Sequence, residues 1–134
     1  MKRIYILFIC LICSRTHLLA QTISMPADSV AILLCKNWER SYMLLGKQKI
    51  DMSSAAGQTN YDFRTDNTFL TYDNHGSEKI KGTWIYDQTK KIILLIVNGK
   101  HDIIIALKNG EYVQRVETEK GTQEIKIIYK IRVK

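Results

Sequence analysis

The chain has 134 residues, with 20 Lys and Arg against 13 Asp and Glu and a formal net charge of +7. That length makes one domain, able to bury about two thirds of its unfolded surface without staples. Part of the basic excess sits in Lys2, Arg3 and Arg15, and the modest remainder argues against a nucleic-acid footprint.

In chain order, Lys2 and Arg3 precede an unbroken apolar run from Ile4 to Cys13. Such a run suits a signal-peptide core of about 7 to 15 residues and is well short of the roughly 20 that span a bilayer. It gives way to Ser14-Arg15-Thr16-His17-Leu18-Leu19-Ala20, and a cut after Ala20 leaves Gln21 as the new terminus. Residues 1–20 therefore read as a cleaved export signal, 21–37 as an N-terminal segment with a short helix, and 38–134 as a β-barrel domain. The expected location is the periplasm or the extracellular space. Cys10 follows Phe8-Ile9 and Cys13 follows Leu11-Ile12, without the small residue that lipid anchoring needs, so neither an anchor nor a membrane span is expected. Cleavage lowers the charge from +7 to +4, by loss of Lys2, Arg3 and Arg15. It also leaves Cys35 as the one thiol, which makes neither an intramolecular disulfide nor a Cys-cluster zinc site. Cys35 reads as a small buried hydrophobe on a helix.

That helix is announced by Pro26 at a first helical position, by Asp28 near the positive end of the dipole, and by Val30, Leu33 and Leu34 at helical spacing before Asn37. Beyond it the pattern changes to period two. Tyr61 and Phe63 alternate with Asp62 and Arg64, and Ile80, Gly82, Trp84 and Tyr86 with Lys79, Lys81 and Thr83. Ile125, Ile127, Tyr129, Ile131 and Val133 alternate with Glu124, Lys126, Lys130 and Arg132, whose charges line a water face. Turn chemistry separates the runs at Gly46-Lys47, Asp66-Asn67, Asn74-His75-Gly76, Asp87 to Lys90, Asn98-Gly99, Asn109-Gly110 and Lys120-Gly121. Eight strands follow, near 38–45, 58–65, 68–73, 78–87, 91–97, 100–107, 111–118 and 122–133. No segment between them holds a crossover helix, so the fold class is all-β: an eight-stranded antiparallel up-and-down barrel of the calycin or lipocalin-like kind, with a short N-terminal helix.

With the Trp84 face turned inward, the lumen is lined by Tyr61, Phe63, Ile80, Trp84, Tyr86, Ile103, Ile105, Ile127, Tyr129 and Ile131. These side chains either meet in a packed core or leave a ligand cavity. The aperiodic stretch Asp51 to Gly57 joins the first two strands at one barrel end, as a lid or as an ordinary loop. Strands 91–97 and 100–107 are apolar on both faces, with Ile104 and Ala106 on the outer one. The helix is the expected cover for that strip, and a protein partner or second copy is the alternative.

These residues resemble the compact lipocalin-like domains of exported Bacteroidetes proteins. The likeness runs from Asn37 onward and rests on Trp38 opening the first strand, on the aromatic-turn-aromatic unit Phe63 to Phe69 with Asp66-Asn67 at its turn, and on Gly82-Thr83-Trp84. Lys36 stands where larger lipocalins place a Gly, and Asn67 stands where the small domains place a Gly.

No catalytic constellation is legible. His75 and His101 have no nucleophile in a recognisable setting, and neither a metal motif nor a phosphate loop is present. Asp102, on an otherwise apolar strand, is the carboxylate to follow, since an inward Asp has a raised pKa. The expectation is therefore a cofactor-free binding protein and not an enzyme. It holds one small apolar or aromatic molecule near Trp38, Tyr61, Phe63, Trp84, Tyr86 and Tyr129. The alternative is a filled barrel acting as a protein-interaction module, such as a protease inhibitor or envelope-complex subunit, through its loops and the outer face of 91–107.

Overall fold

The period-two runs form nine antiparallel strands, one more than expected, arranged as a barrel with eight positions around its wall. The computed structural model describes residues 22–52, 58–116 and 124–133. The expected export signal over 1–20, the core of the 51–57 segment and the Lys120-Gly121 turn lie outside the described residues. Helix α1 (Ala27–Leu34) is followed by β1 (Asn37–Leu45), β2 (Gln48–Asp51), β3 (Asn60–Phe63), β4 (Thr68–Tyr72) and β5 (Glu78–Asp87). Then come β6 (Ile92–Val97), β7 (Lys100–Lys108), β8 (Glu111–Val116) and β9 (Ile125–Ile131). From β3 to β9 each strand pairs with the next, and β1 closes the ring against β9 from Trp38↔Ile131 to Leu45↔Ile125.

The additional strand comes from the Gly46-Lys47 turn, which folds Gln48–Asp51 back along Leu45 to Tyr42. Further along the same edge, β3 takes over with Trp38↔Tyr61. β2 and β3 thus share one position in the wall, each beside one half of β1. The β2 residues Gln48, Lys49, Ile50 and Asp51 include a single apolar side chain, too short a pattern to signal a strand. The described flanks of the 51–57 segment meet β1. Asp51 ends β2, the Met52 amide donates to the Ser41 carbonyl at 3.1 Å, and Gln58 Nε2 donates to the Arg40 carbonyl at 2.7 Å. Both flanks are fastened to the middle of β1.

Turn chemistry acts as expected at Asn98-Gly99, where φ values of 49° and 77° let a two-residue turn join Val97 to Lys100. Asn67, with φ 64°, takes the left-handed conformation that its side chain tolerates.

On β7 the register shifts between Ile104 and Ala106. This bulge exchanges the faces beyond it. Ile104 and Leu107 enter the core with Ile93 and Tyr112, while Ile105 and Ala106 face outward. Ile103 lies beside Leu94 and Arg115, away from the core. The expectation that Ile103 and Ile105 line the lumen, with Ile104 outside, is therefore reversed.

The helix is also placed differently. It does not cover the outer strip: Val30 and Leu34, both at 0% exposure, join Trp38, Ile93, Ile104 and Leu107 and stop one end of the barrel. Eight residues are too few for a helix to persist alone, so this burial holds it. Pro26 occupies the N-cap and its carbonyl accepts from the Val30 amide at 3.1 Å; the helix ends at Leu34, with Cys35 as its C-cap rather than a member. Cys35 is half-buried, and this burial, helped by Asp66 and Asp62, pushes its thiol up. The segment before the helix is strapped to the barrel by the Tyr86 hydroxyl, 3.0 Å from the Ile23 carbonyl and 2.9 Å from that of Met25.

Candidate site in the barrel lumen

Above the helix, aromatic rings fill the lumen. Trp38 meets Tyr112 edge-on at 4.9 Å, Tyr112 stacks on Tyr129 at 4.5 Å, and Tyr61 meets Tyr129 edge-on at 5.3 Å. Phe63 and Phe69 each lie 5.6 Å from Tyr61. This half of the barrel is a packed core of the kind that one of the two readings foresaw.

The other half is hollow. Phe69, Ile80, Leu95 and Val97 form the apolar wall of a cavity of about 230 Å³, with Tyr61 and Thr71 beside them and Lys100, His101 and Asp102 along its edge. Among the residues expected to line the lumen, Tyr61 and Ile80 border this space. Trp38, Phe63, Trp84 and Tyr129 are buried in the core, and Tyr86 is half-buried under the N-terminal segment. Phe69, Leu95 and Val97 are wall residues that periodicity left unassigned, because their strands carry apolar groups on both sides. The pairing Phe69↔Gly82 would have assigned the first, since Gly82 shares the inward face of Trp84.

Polar groups gather where the packed and hollow halves meet. Arg40 lies opposite Tyr129 in the β1–β9 ladder, just before a bulge in β1, and its Nη2 is 3.4 Å from the Tyr129 hydroxyl. Between β8 and β7, Gln114 Nε2 donates to Asp102 Oδ2 at 3.1 Å. Asp102 pairs with Leu95, a core residue, and so lies on the inner face, yet it is exposed at the mouth. Arg40 Nε, the Tyr112 hydroxyl and Gln114 Oε1 are buried without a hydrogen-bond partner among the described residues.

Burial raises the phenol pKa of Tyr61, Tyr112 and Tyr129 above the ordinary value; Asp102 adds and Arg40 subtracts in all three, while neighbouring phenols add for Tyr61 and Tyr112 and the Tyr61 hydroxyl subtracts for Tyr129. A raised folded-state pKa means that the folded chain holds these protons more firmly than the unfolded chain. Their contribution to stability is thus complete below about pH 10 and declines as pH rises beyond it. In an alkaline titration, the phenolate absorbance of these three is expected to appear together with the cooperative loss of β circular dichroism. Stepwise ionisation of all tyrosines with the fold intact would contradict their burial.

Among the described residues no group of three or more His, Cys, Asp or Glu comes together as a metal cage, and no helix is long and apolar enough to cross a membrane. The fold and the site define a closed antiparallel barrel, stoppered by a helix at one end and hollow at the other. No protein-family model and no curated protein matches the chain.

Proposed function

We propose that the protein is an exported, lipocalin-like binding module, without catalytic activity or cofactor, that holds one small apolar or aromatic molecule at the open end of its barrel. The observation that carries this reading is the cavity of about 230 Å³ walled by Phe69, Ile80, Leu95 and Val97. Its size is just under the ~300 Å³ at which ligand sites ordinarily begin, which favours a small ligand. The apolar run Ile4 to Cys13 supports export, and Trp38, the Phe63 to Phe69 unit and Gly82-Thr83-Trp84 support the likeness.

Thermal unfolding with a panel of fatty acids, haem and aromatic compounds tests the reading. A ligand at one hundred times its Kd is expected to stabilise the fold by about 2.7 kcal/mol. Ile80 is 46% exposed at the mouth, so Ile80→Trp fills the cavity at little cost to the fold. That variant is expected to keep the wild-type Tm within a few degrees and to lose ligand stabilisation. Undiminished stabilisation in Ile80→Trp would place the ligand elsewhere. Calorimetry or Tm is the better readout than tryptophan emission, since Trp38 and Trp84 belong to the packed half.

One observation favours the protein-interaction alternative. On the outer wall, Tyr42, Leu44, Ile105, Ala106, Val113 and Ile128 form an apolar groove of about 420 Å³ with Glu111, Arg115 and Lys126 beside them. This groove lies mostly on β7, β8, β9 and β1, shifted from the 91–107 strip read in the sequence. A flat response to every ligand, together with concentration-dependent association in sedimentation, would favour that reading.

A further inference from the structure

Arg40 has an inward guanidinium with few acceptors. Its Nη2 meets the Tyr129 hydroxyl at 3.4 Å, long for a hydrogen bond, and the Tyr129 ring lies 5.9 Å from its Cζ. Its Nε is buried and finds no acceptor, and among the described residues Arg40 enters no ion pair. Half-buried, with one nitrogen sealed from water and unpaired among the described residues, the guanidinium is an under-satisfied donor.

The groups nearest to Arg40 are also donors. Tyr112 is 0% exposed, its hydroxyl has no partner among the described residues, and its ring stacks on Tyr129. Tyr61 touches Tyr129 edge-on and is at the same time part of the cavity lining, so a molecule seated in the cavity borders this donor cluster. Burial keeps all three phenols protonated. The acceptors Gln114 and Asp102 stand on β8 and β7. Gln114 turns its Nε2 to Asp102, which leaves Oε1 as the orphan, and Asp102 belongs to the mouth.

We infer that the ligand of this lumen carries an acidic group, a carboxylate or comparable oxyacid, which Arg40 and the hydroxyls of Tyr112 and Tyr129 receive while its apolar body lies against Phe69, Leu95 and Val97. The inference rests on the reading of the lumen as a binding site. An oxyacid supplies the counter-charge that Arg40 lacks and accepts from both orphaned donors, and a neutral alcohol of the same length does neither.

The test is calorimetric titration of the purified protein with octanoate and benzoate, compared with octanol, octylamine and benzyl alcohol. The acids are expected to bind at least tenfold more tightly than the alcohols and the amine. In Arg40→Met the acid-to-alcohol ratio is expected to fall to about one, and Arg40→Lys should recover part of it. Tyr112→Phe removes only a hydroxyl, so it answers the same question if Arg40→Met fails to fold; it should lower the ratio about threefold. Alcohols or amine binding as tightly as the acids would overturn the acidic class while leaving the binding module standing. An acid preference that survives in both Arg40→Met and Tyr112→Phe would overturn the assigned residues. If none of these compounds binds and the wider panel is flat as well, the binding reading itself falls and this inference with it.

Discussion

Trp38→Ala is expected to lower folding stability by about 3–5 kcal/mol, a large share of the roughly 5–15 kcal/mol available to a domain. The side chain is 0% exposed and joins three parts of the molecule. Its ring lies edge-on to Tyr112 at 4.9 Å, its Nε1 donates to the Leu34 carbonyl at 2.8 Å, and its backbone pairs with both Tyr61 and Ile131. Truncation opens a cavity under the helix and strips a partner from one of the carbonyls that a helix terminus leaves unpaired. Trp38→Phe keeps most of the volume and loses only the donor, so a smaller cost of about 1–3 kcal/mol is expected. Urea unfolding checks both, with the midpoint falling in that order and the m-value unchanged. A wild-type midpoint for Trp38→Ala would mean that the helix does not depend on the barrel end as this packing requires.

Gly82→Ala carries the second large effect. A Cβ at this position would stand 2.6 Å from Phe69 Cε1 and 2.7 Å from the Ile96 carbonyl oxygen. The oxygen belongs to the β6 backbone, and the Phe69 ring is boxed by Tyr61 and Phe63 at 5.6 Å. Neither neighbour yields readily, and overpacking of this kind costs about 1–3 kcal/mol and occasionally more. A fall in Tm of about 10 °C is expected. The adjacent Thr83 is exposed on the outer face, so Thr83→Ala should stay within about 0.5 kcal/mol. Adding Phe69→Leu to Gly82→Ala is expected to return part of the loss, because the two residues are direct cross-strand partners. Additive losses in the double variant would show that the clash lies with Ile96 alone.

The same pair explains why two separated motifs accompany one another. Phe69 closes the aromatic-turn-aromatic unit, and Gly82 opens the Gly-Thr-Trp unit against it. Trp84 completes the link: its amide donates to the Asn67 carbonyl at 2.8 Å and its Nε1 to the Arg64 carbonyl at 3.0 Å. Each motif taken alone is a common pattern. Together they are one packing unit, with a glycine where a ring must lie and an indole that satisfies the turn.

Less of the candidate site was legible. Tyr61 was read from alternation and lines the cavity. Arg40 gave no signal, because a charge between Glu39 and Ser41 near the start of a strand reads as a solvated face. It lies inward because Trp38 does, two residues earlier, and the bulge that follows then restores Met43 opposite Ile127. Asp102 was flagged for its apolar surroundings and does lie on the inner face, at the mouth.

Residue order by itself determined what is local: period-two runs, the turn pairs between them, their antiparallel succession, and hence a closed barrel with a leading helix. Each of these follows from the conformational preferences of a few adjacent residues. Only the tertiary structure decided what depends on distant partners. The β6–β7 register decided which isoleucines face inward, by setting Ile104 opposite the core residue Ile93, and the bulge after it reversed the sides of Ala106 and Leu107. The helix stoppered the barrel instead of covering its wall, because its few apolar side chains fit among the rings at that end. Whether the lumen is full or hollow also rested on distant partners: aromatics from β1, β3, β8 and β9 converge in one half, while Thr71, Ile80, Leu95 and Val97 leave space beside Phe69 in the other.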